Sequence, residues 1–192
     1  MTKTRLEAFS DGVFAIIVTI MVLELKVPHE TDLHALKEML PLFLSYLSSF
    51  VFVGIYWGNH HHLLHTVHHV NSKIIWANLN LLFWLSLVPF ATGWIGENPK
   101  AEVPVAVYAT LFLLCGIAFF ILQKVIENHY THSTKLIEAL KKTSLKGILS
   151  LLLYSAAVIF AFINPTISYV LIVVVAVLWV IPDKNIEKAL ED

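Results

Sequence analysis

The sequence has few charged residues. Of its 192 residues only 14% are charged, 57% are hydrophobic, and the formal net charge is −1. A nucleic-acid partner needs a basic surface, so this charge balance excludes one. There is one cysteine, Cys115, so an intrachain disulfide is excluded as well. The mean hydropathy of +0.74 indicates a polytopic membrane protein rather than a soluble globular enzyme.

The sequence also lacks the residue groups that an enzyme or a filter-type channel needs. No nucleophile–base or metal-binding constellation stands out, so we expect neither enzymatic activity nor a cofactor. No Thr-Val-Gly-Tyr-Gly stretch occurs, and a potassium filter made of backbone carbonyls is therefore excluded.

Six apolar segments predict an all-α integral membrane protein with one six-helix domain, 1–192. The segments are residues 6–27, 42–64, 74–95, 104–125, 145–163 and 166–182. The last two belong to one apolar run of about 51 Å, too long for one span, which Asn164-Pro165 divides. Between the first two, residues 31–39 predict an amphipathic surface helix capped by Thr31 or Asp32. In the second segment, Gly54 and Gly58 are spaced for close helix contact.

The basic residues predict the orientation of these spans. If the spans alternate in direction, ten of the thirteen Lys and Arg residues fall on one side of the membrane. The excess of positive charge on cytoplasmic loops places that side, with both termini, in the cytoplasm. We therefore expect a multi-pass protein of a cell membrane, the bacterial plasma membrane, in contact with lipid.

The first apolar segment carries an acid near each end. Asp11 and Glu24 are separated by twelve residues, about 18 Å of helix, against a hydrocarbon thickness of ~30 Å. Such buried acids favour a helix that is shielded by protein or lines water. On a helical wheel Asp11 points away from an apolar face, and Glu24 lies at its flank. That face consists of Gly12, Ile16, Thr19, Ile20, Leu23 and Val27.

Two groups of residues resemble the signature of the transmembrane protein 175 family of potassium channels. The first is Arg5, then Phe9-Ser10-Asp11 and the apolar run to Leu23; the second is Trp57-Gly-Asn-His60, Asn78 and Pro89-Phe90. The resemblance implies a passive potassium-permeable cation channel whose pore is lined by the first helix. Animal members have two six-span repeats and assemble as dimers. This chain has one copy of the motif, which implies a homotetramer.

The resemblance also implies roles for single residues. The positions that match the constriction, with one further residue on the same face, are Ile16, Thr19, Ile20 and Leu23. The positions that match the motif anchoring the inner end of the helix, and its partners, are Arg5, Phe9, Ser10, Asp11, Trp57, His60 and Asn78. Stacked apolar rings would act as gate and dehydration barrier for K⁺ and other monovalent cations. The hydroxyl of Thr19 would give a modest preference for potassium.

Three charged residues have alternative interpretations. Four copies of Glu24 would attract cations at the outer mouth, or each would pair with a lysine or an amide. Arg5 and Asp11 would form a buried structural pair or a gating switch.

The histidines support an alternative function. Six of the ten lie between His60 and His69, and their helical spacing suits zinc or copper. A metal-ion or proton transporter that uses this cluster is therefore the alternative to a channel. No carboxylate cluster accompanies them, which favours surface histidines, with His60 as a structural hydrogen-bonding partner of the first helix.

Overall fold

The computed structural model describes residues 2–129 and 134–180, with the backbone alone over 134–143. Every regular element in this part of the chain is helical. The helices are α1 Lys3–Met21, α2 Leu33–Glu38, α3 Leu40–His65, α4 Ser72–Ser86, α5 Val88–Glu97, α6 Glu102–Glu127, α7 Thr134–Ala161 and α8 Pro165–Val180. A 3-10 turn, Val22–Glu24, follows α1.

Polar side chains cap the first turns of several helices. Asp32 Oδ1 accepts from the backbone N–H of Ala35 at 2.9 Å, which confirms the surface helix α2 and one of its two predicted caps. Asn71 Oδ1 accepts from Ile74 in the same way at 2.9 Å and begins α4. These bonds satisfy N–H groups that have no partner inside the helix.

Five helical segments in the described part of the chain are long and apolar enough to cross a membrane. They are Lys3–Glu24, Leu40–His65, Ser72–Glu97, Glu102–Glu127 and Ser144–Ala161, and they coincide with the first five predicted spans. The predicted break at Asn164-Pro165 is also confirmed, since α7 ends at Ala161 and α8 begins at Pro165. Helix α8 has 16 residues, about 24 Å of helix, which is shorter than the hydrocarbon layer. The predicted end of this span, 181–182, lies outside the described residues.

The first helix ends earlier than predicted. Its α-helical part stops at Met21, and the 3-10 turn carries the chain to Glu24. Val27, which the helical wheel assigned to the apolar face, therefore lies beyond the helix. Pro28 disfavours the α conformation for Val27, but nothing in the described structure explains why the helix already ends at Met21.

The third predicted span consists of two helices. Helices α4 and α5 meet at Leu87, which keeps a helical backbone conformation at the junction. Pro89 explains the division, because it has no N–H to donate and its ring clashes with the carbonyl four residues back. The span is therefore interrupted near its middle at a single residue, without a loop.

Helix α6 lies at the centre of the packing, and α1 lies at its edge. Helix α6 contacts α4, α5, α7 and α8, whereas α1 packs mainly against α3, α4 and α5. In the most apolar stretch of 18 residues, 56% is buried in α6 but only 28% in α1. Much of α1 is therefore free to meet something other than its own chain.

Close backbone contact joins α5 to the N-terminal half of α3. A Cβ atom added to Gly96 would lie 2.5 Å from Ser45 Oγ and 3.0 Å from Leu42 Cα. One turn away, the Thr92 hydroxyl donates to Ser49 Oγ at 2.7 Å. The close contact predicted at Gly54 and Gly58 is not formed among the described residues of this chain, since an added Cβ at either would meet nothing within 4 Å.

Gly96→Ala should lower the stability of the protein. Because a backbone atom limits the space there, the methyl group would push α5 away from α3 at a cost of about 1–3 kcal/mol. Gly54→Ala is the matched control, since it meets open space and an alanine favours the helix by about 0.5–1 kcal/mol. Thermal unfolding of both variants in one detergent measures the difference. Equal melting temperatures for Gly96→Ala and the unmodified protein would contradict the close contact.

Candidate pore helix and its anchor

Helix α1 has one face inside the chain and one outside. The buried residues are spaced three or four apart, at Leu6, Ser10, Phe14, Ile17 and Met21. On the opposite side the exposed fractions are 57% for Ile16, 43% for Ile20 and 74% for Leu23, and Thr19 is exposed too. We call Ile16, Thr19, Ile20 and Leu23 the ridge. The ridge is largely exposed, although its Ile16 and Ile20 also border a groove shared with α5.

A buried chain of hydrogen bonds holds the N-terminal half of α1. The Ser10 hydroxyl donates to the Leu6 carbonyl at 2.8 Å and accepts from Asn78 Nδ2 at 2.9 Å. Asn78 Oδ1 lies 2.6 Å from His60 Nε2. Because the amide oxygen only accepts, His60 must carry its hydrogen on Nε2. All three side chains are almost fully buried, and they link α1, α3 and α4.

Two further bonds connect α1 to the C-terminal part of α3. Trp57 Nε1 donates to Asp11 Oδ1 at 2.9 Å. Lys3 Nζ donates to the carbonyl of His65, the last residue of α3, at 2.7 Å. In the sequence, Lys3 contributes only to the prediction of the orientation of the spans. No sequence pattern identifies a lysine that donates a hydrogen bond to a backbone carbonyl 62 residues away. Several hydrogen bonds thus join the N-terminal part of α1 to the C-terminal part of α3.

Two motif residues lie outside this network. Phe9 is 53% exposed, and the Arg5 side chain is exposed and forms no hydrogen bond within the described residues. The ion pair considered between Arg5 and Asp11 is not formed among the described residues, and Asp11 bonds to Trp57 instead. Six residues along a helix separate two side chains by about 120° of rotation and 9 Å of rise, too far for a pair.

The hydroxyl of Thr19 is tied to its own helix. Thr19 Oγ1 lies 3.0 Å from the carbonyls of Ala15 and Ile16, to which it donates its single hydrogen. The oxygen lone pairs remain available on the exposed side. Thr19 can therefore accept a hydrogen bond or approach a cation there, but it cannot also donate.

Glu24 rests against α5 rather than pairing with a lysine. Its Oε2 lies 2.7 Å from the position that a Cβ of Gly93 would occupy, so the absence of a side chain at Gly93 makes room for it. Lys26 pairs with Glu97 instead, at 3.1 Å. Neither a lysine nor an amide bonds to Glu24 within the described residues. A groove of about 710 Å³ runs between α1 and α5 beside these groups.

The histidines do not gather into one site. His60 is buried in the anchor, whereas His61 and His65 are exposed on α3. Across residues 2–129 and 134–180, no three His, Cys, Asp or Glu side chains are grouped to hold a metal ion. The structure thus offers no three-ligand centre for the metal-ion transporter that the sequence left open.

Known proteins resemble the chain in these same helices. The family model named Endosomal/lysosomal potassium channel TMEM175 matches residues 5–89, which contain the ridge and its anchor. A protein of Chryseobacterium sp. (strain P1-3), named a potassium channel, is 50% identical over the full length of both chains. The chain belongs to the TMEM175 family. Its relatives in this family are channels rather than enzymes, which confirms the prediction that the protein is not an enzyme.

Other TMEM175 proteins resemble the chain over different shares of their length. The crystal structure of a lysosomal potassium-selective channel TMEM175 homolog from Chamaesiphon minutus superimposes with a TM-score of 0.84 at 30% identity. The match covers 94% of this chain and 97% of that one. The human endosomal/lysosomal proton channel TMEM175 is 32% identical over 61% of this chain but only 26% of its own length. With its apolar helices, this TMEM175 member is a multi-pass membrane protein.

Asn78→Leu should destabilise the protein, because it leaves buried His60 Nε2 without an acceptor. An unsatisfied buried polar group costs about 1–3 kcal/mol. Asn80→Leu makes the same change on the exposed side of α4 and should cost much less. Denaturant titration of both variants, followed by tryptophan fluorescence, compares the losses. If the two variants unfold at the same concentration, the anchor does not hold α1.

Proposed function

We propose that the chain is one subunit of a potassium-permeable cation channel, which conducts passively through a central pore lined by α1 from four copies. The relatives from Chryseobacterium and Chamaesiphon minutus carry the name of potassium channels. Each subunit is a single domain of six spans, with α8 as the short sixth, both termini in the cytoplasm, and the bacterial plasma membrane as its location.

One observation carries this proposal: α1 is anchored so that its ridge is exposed rather than packed in the core of its own chain. Buried polar bonds fix one side of the helix, and the other side exposes Ile16, Ile20 and Leu23. One helix is too little to enclose a pore, whereas four related by symmetry enclose one. The exposed side of α1 then becomes the wall of the pore.

The ridge would act as gate and as dehydration barrier. Rings of Ile16, Ile20 and Leu23 form an apolar constriction, from which water withdraws when it is narrow. A small rotation or splaying of α1 would widen it. Glu24, held against α5 at the flank of the ridge, would add negative potential near the outer mouth and raise the local concentration of cations.

Cysteine substitution separates a pore wall from a lipid-facing surface. In Leu23→Cys, a cationic, water-soluble methanethiosulfonate reagent should abolish most of the potassium flux into sealed vesicles, because each modified ring places charge on the axis. The native Cys115 is 0% exposed and gives little background.

Ile159→Cys is the control, since Ile159 is 62% exposed near the end of α7, far along the chain from the ridge. The reagent should leave its flux unchanged. If Leu23→Cys keeps its full flux after treatment, or if both variants lose flux equally, α1 does not line the pore.

Thr19→Val should reduce the discrimination between potassium and sodium. The exchange keeps the shape of the side chain and removes the only hydroxyl oxygen of the ridge. Thr19→Ser retains the oxygen and should preserve the permeability ratio. Reversal potentials under potassium and sodium gradients measure both variants, and an unchanged ratio in Thr19→Val would show that the hydroxyl does not select.

Proton conduction is the second candidate, because the vertebrate relatives are named proton channels. Flux assays with separate potassium, sodium, proton and zinc gradients distinguish it from potassium conduction. A proton flux that persists without monovalent metal cations would favour the second candidate. A zinc flux would instead favour the metal-ion transporter.

A further inference from the structure

A pair of imidazole rings lies on the exposed side of α3 near its inner end. The rings of His61 and His65 are 6.2 Å apart between centroids, with 24° between their planes. Both residues are exposed, and neither ring forms a hydrogen bond within the described residues. The anchor uses His60, on another side of the same helix, so this pair has no part in holding α1 through its side chains.

The spacing and the chemistry of the pair point to a ligand. Residues four apart are neighbours on one face of a helix, and two histidines at that spacing bind a single zinc ion in metalloproteases. Imidazole nitrogen suits zinc, nickel and copper, whereas magnesium and calcium prefer oxygen ligands. Since no third ligand joins the pair within the described chain, water would complete the coordination.

We propose that His61 and His65 form a binding site for a divalent transition-metal ion of the zinc and nickel class. The site needs only one chain and does not depend on the proposed conduction. Its place gives it a consequence for α1, because the carbonyl of His65 accepts from Lys3 of α1. An ion held by both rings would fix the last turn of α3, to which the start of α1 is bonded.

A nearby tryptophan allows the binding to be observed directly. The ring of Trp57 lies 6.3 Å from that of His61, so a bound nickel ion should quench its fluorescence. The full chain is reconstituted in nanodiscs after removal of any histidine tag and titrated with Ni²⁺, by fluorescence and by calorimetry. We expect saturable binding of one ion per chain.

Single glutamine variants test the two ligands. Loss of an outer-shell partner lowers metal affinity about 10–100-fold, so His61→Gln and His65→Gln should each lose at least about tenfold. His62→Gln is the matched control, since its ring lies 5.9 Å from His61 but about 100° around the helix. It should bind nickel as the unmodified protein does.

Gel filtration of every variant verifies that the assembly is intact. Unchanged affinity in the double variant of His61 and His65 would overturn the proposal, as would an equal loss in His62→Gln. Trp57→Phe should lose the quenching yet keep the calorimetric binding. If Trp57→Phe keeps the full quenching instead, the ion binds elsewhere.

Discussion

A few buried hydrogen bonds determine which face of α1 packs against its own chain and which face is exposed. Lipid is as apolar as isoleucine, so hydrophobicity gives no reason for one apolar face of α1 to point inward rather than another. A polar group left unpaired in hydrocarbon costs several kcal/mol. If α1 rotated away from α4, Asn78 would lose its hydrogen bond to Ser10. The series of bonds from Ser10 through Asn78 to His60 would then be broken. The direction of the ridge therefore follows from polar atoms on the opposite side of the helix.

The third span contacts both α1 and the turn that follows it. Its first half, α4, supplies Asn78 to the N-terminal half of α1, and its second half, α5, supplies the space at Gly93 that receives Glu24. Helix α5 is itself fixed on α3 through Gly96 and Thr92. The halves of the span on either side of its interruption thus both contact the candidate pore helix or the turn that follows it.

The sequence predicts the spans and much of α1, but not how its helices meet. Hydropathy needs only composition along the chain, and it locates five spans. Helical periodicity places the ridge residues on one face, while their selection and the partners of Ser10 and Asp11 follow from family resemblance. The spacing of Gly54 and Gly58 predicts a close contact that this chain does not make, whereas Gly93 and Gly96 make the contacts. A spacing pattern states that two residues share a face, and tertiary packing decides what that face touches.

The bonding of Thr19 limits how the proposed pore could select among cations. Its hydrogen is committed to the backbone of α1, so the hydroxyl oxygen would face an ion with its lone pairs. Four such oxygens are fewer than the water molecules around a hydrated monovalent cation, and the neighbouring rings of Ile16 and Ile20 offer no oxygen. An ion would therefore cross with part of its hydration uncompensated. Potassium loses water more readily than sodium, so selection would arise from the cost of dehydration rather than from a fitted cage.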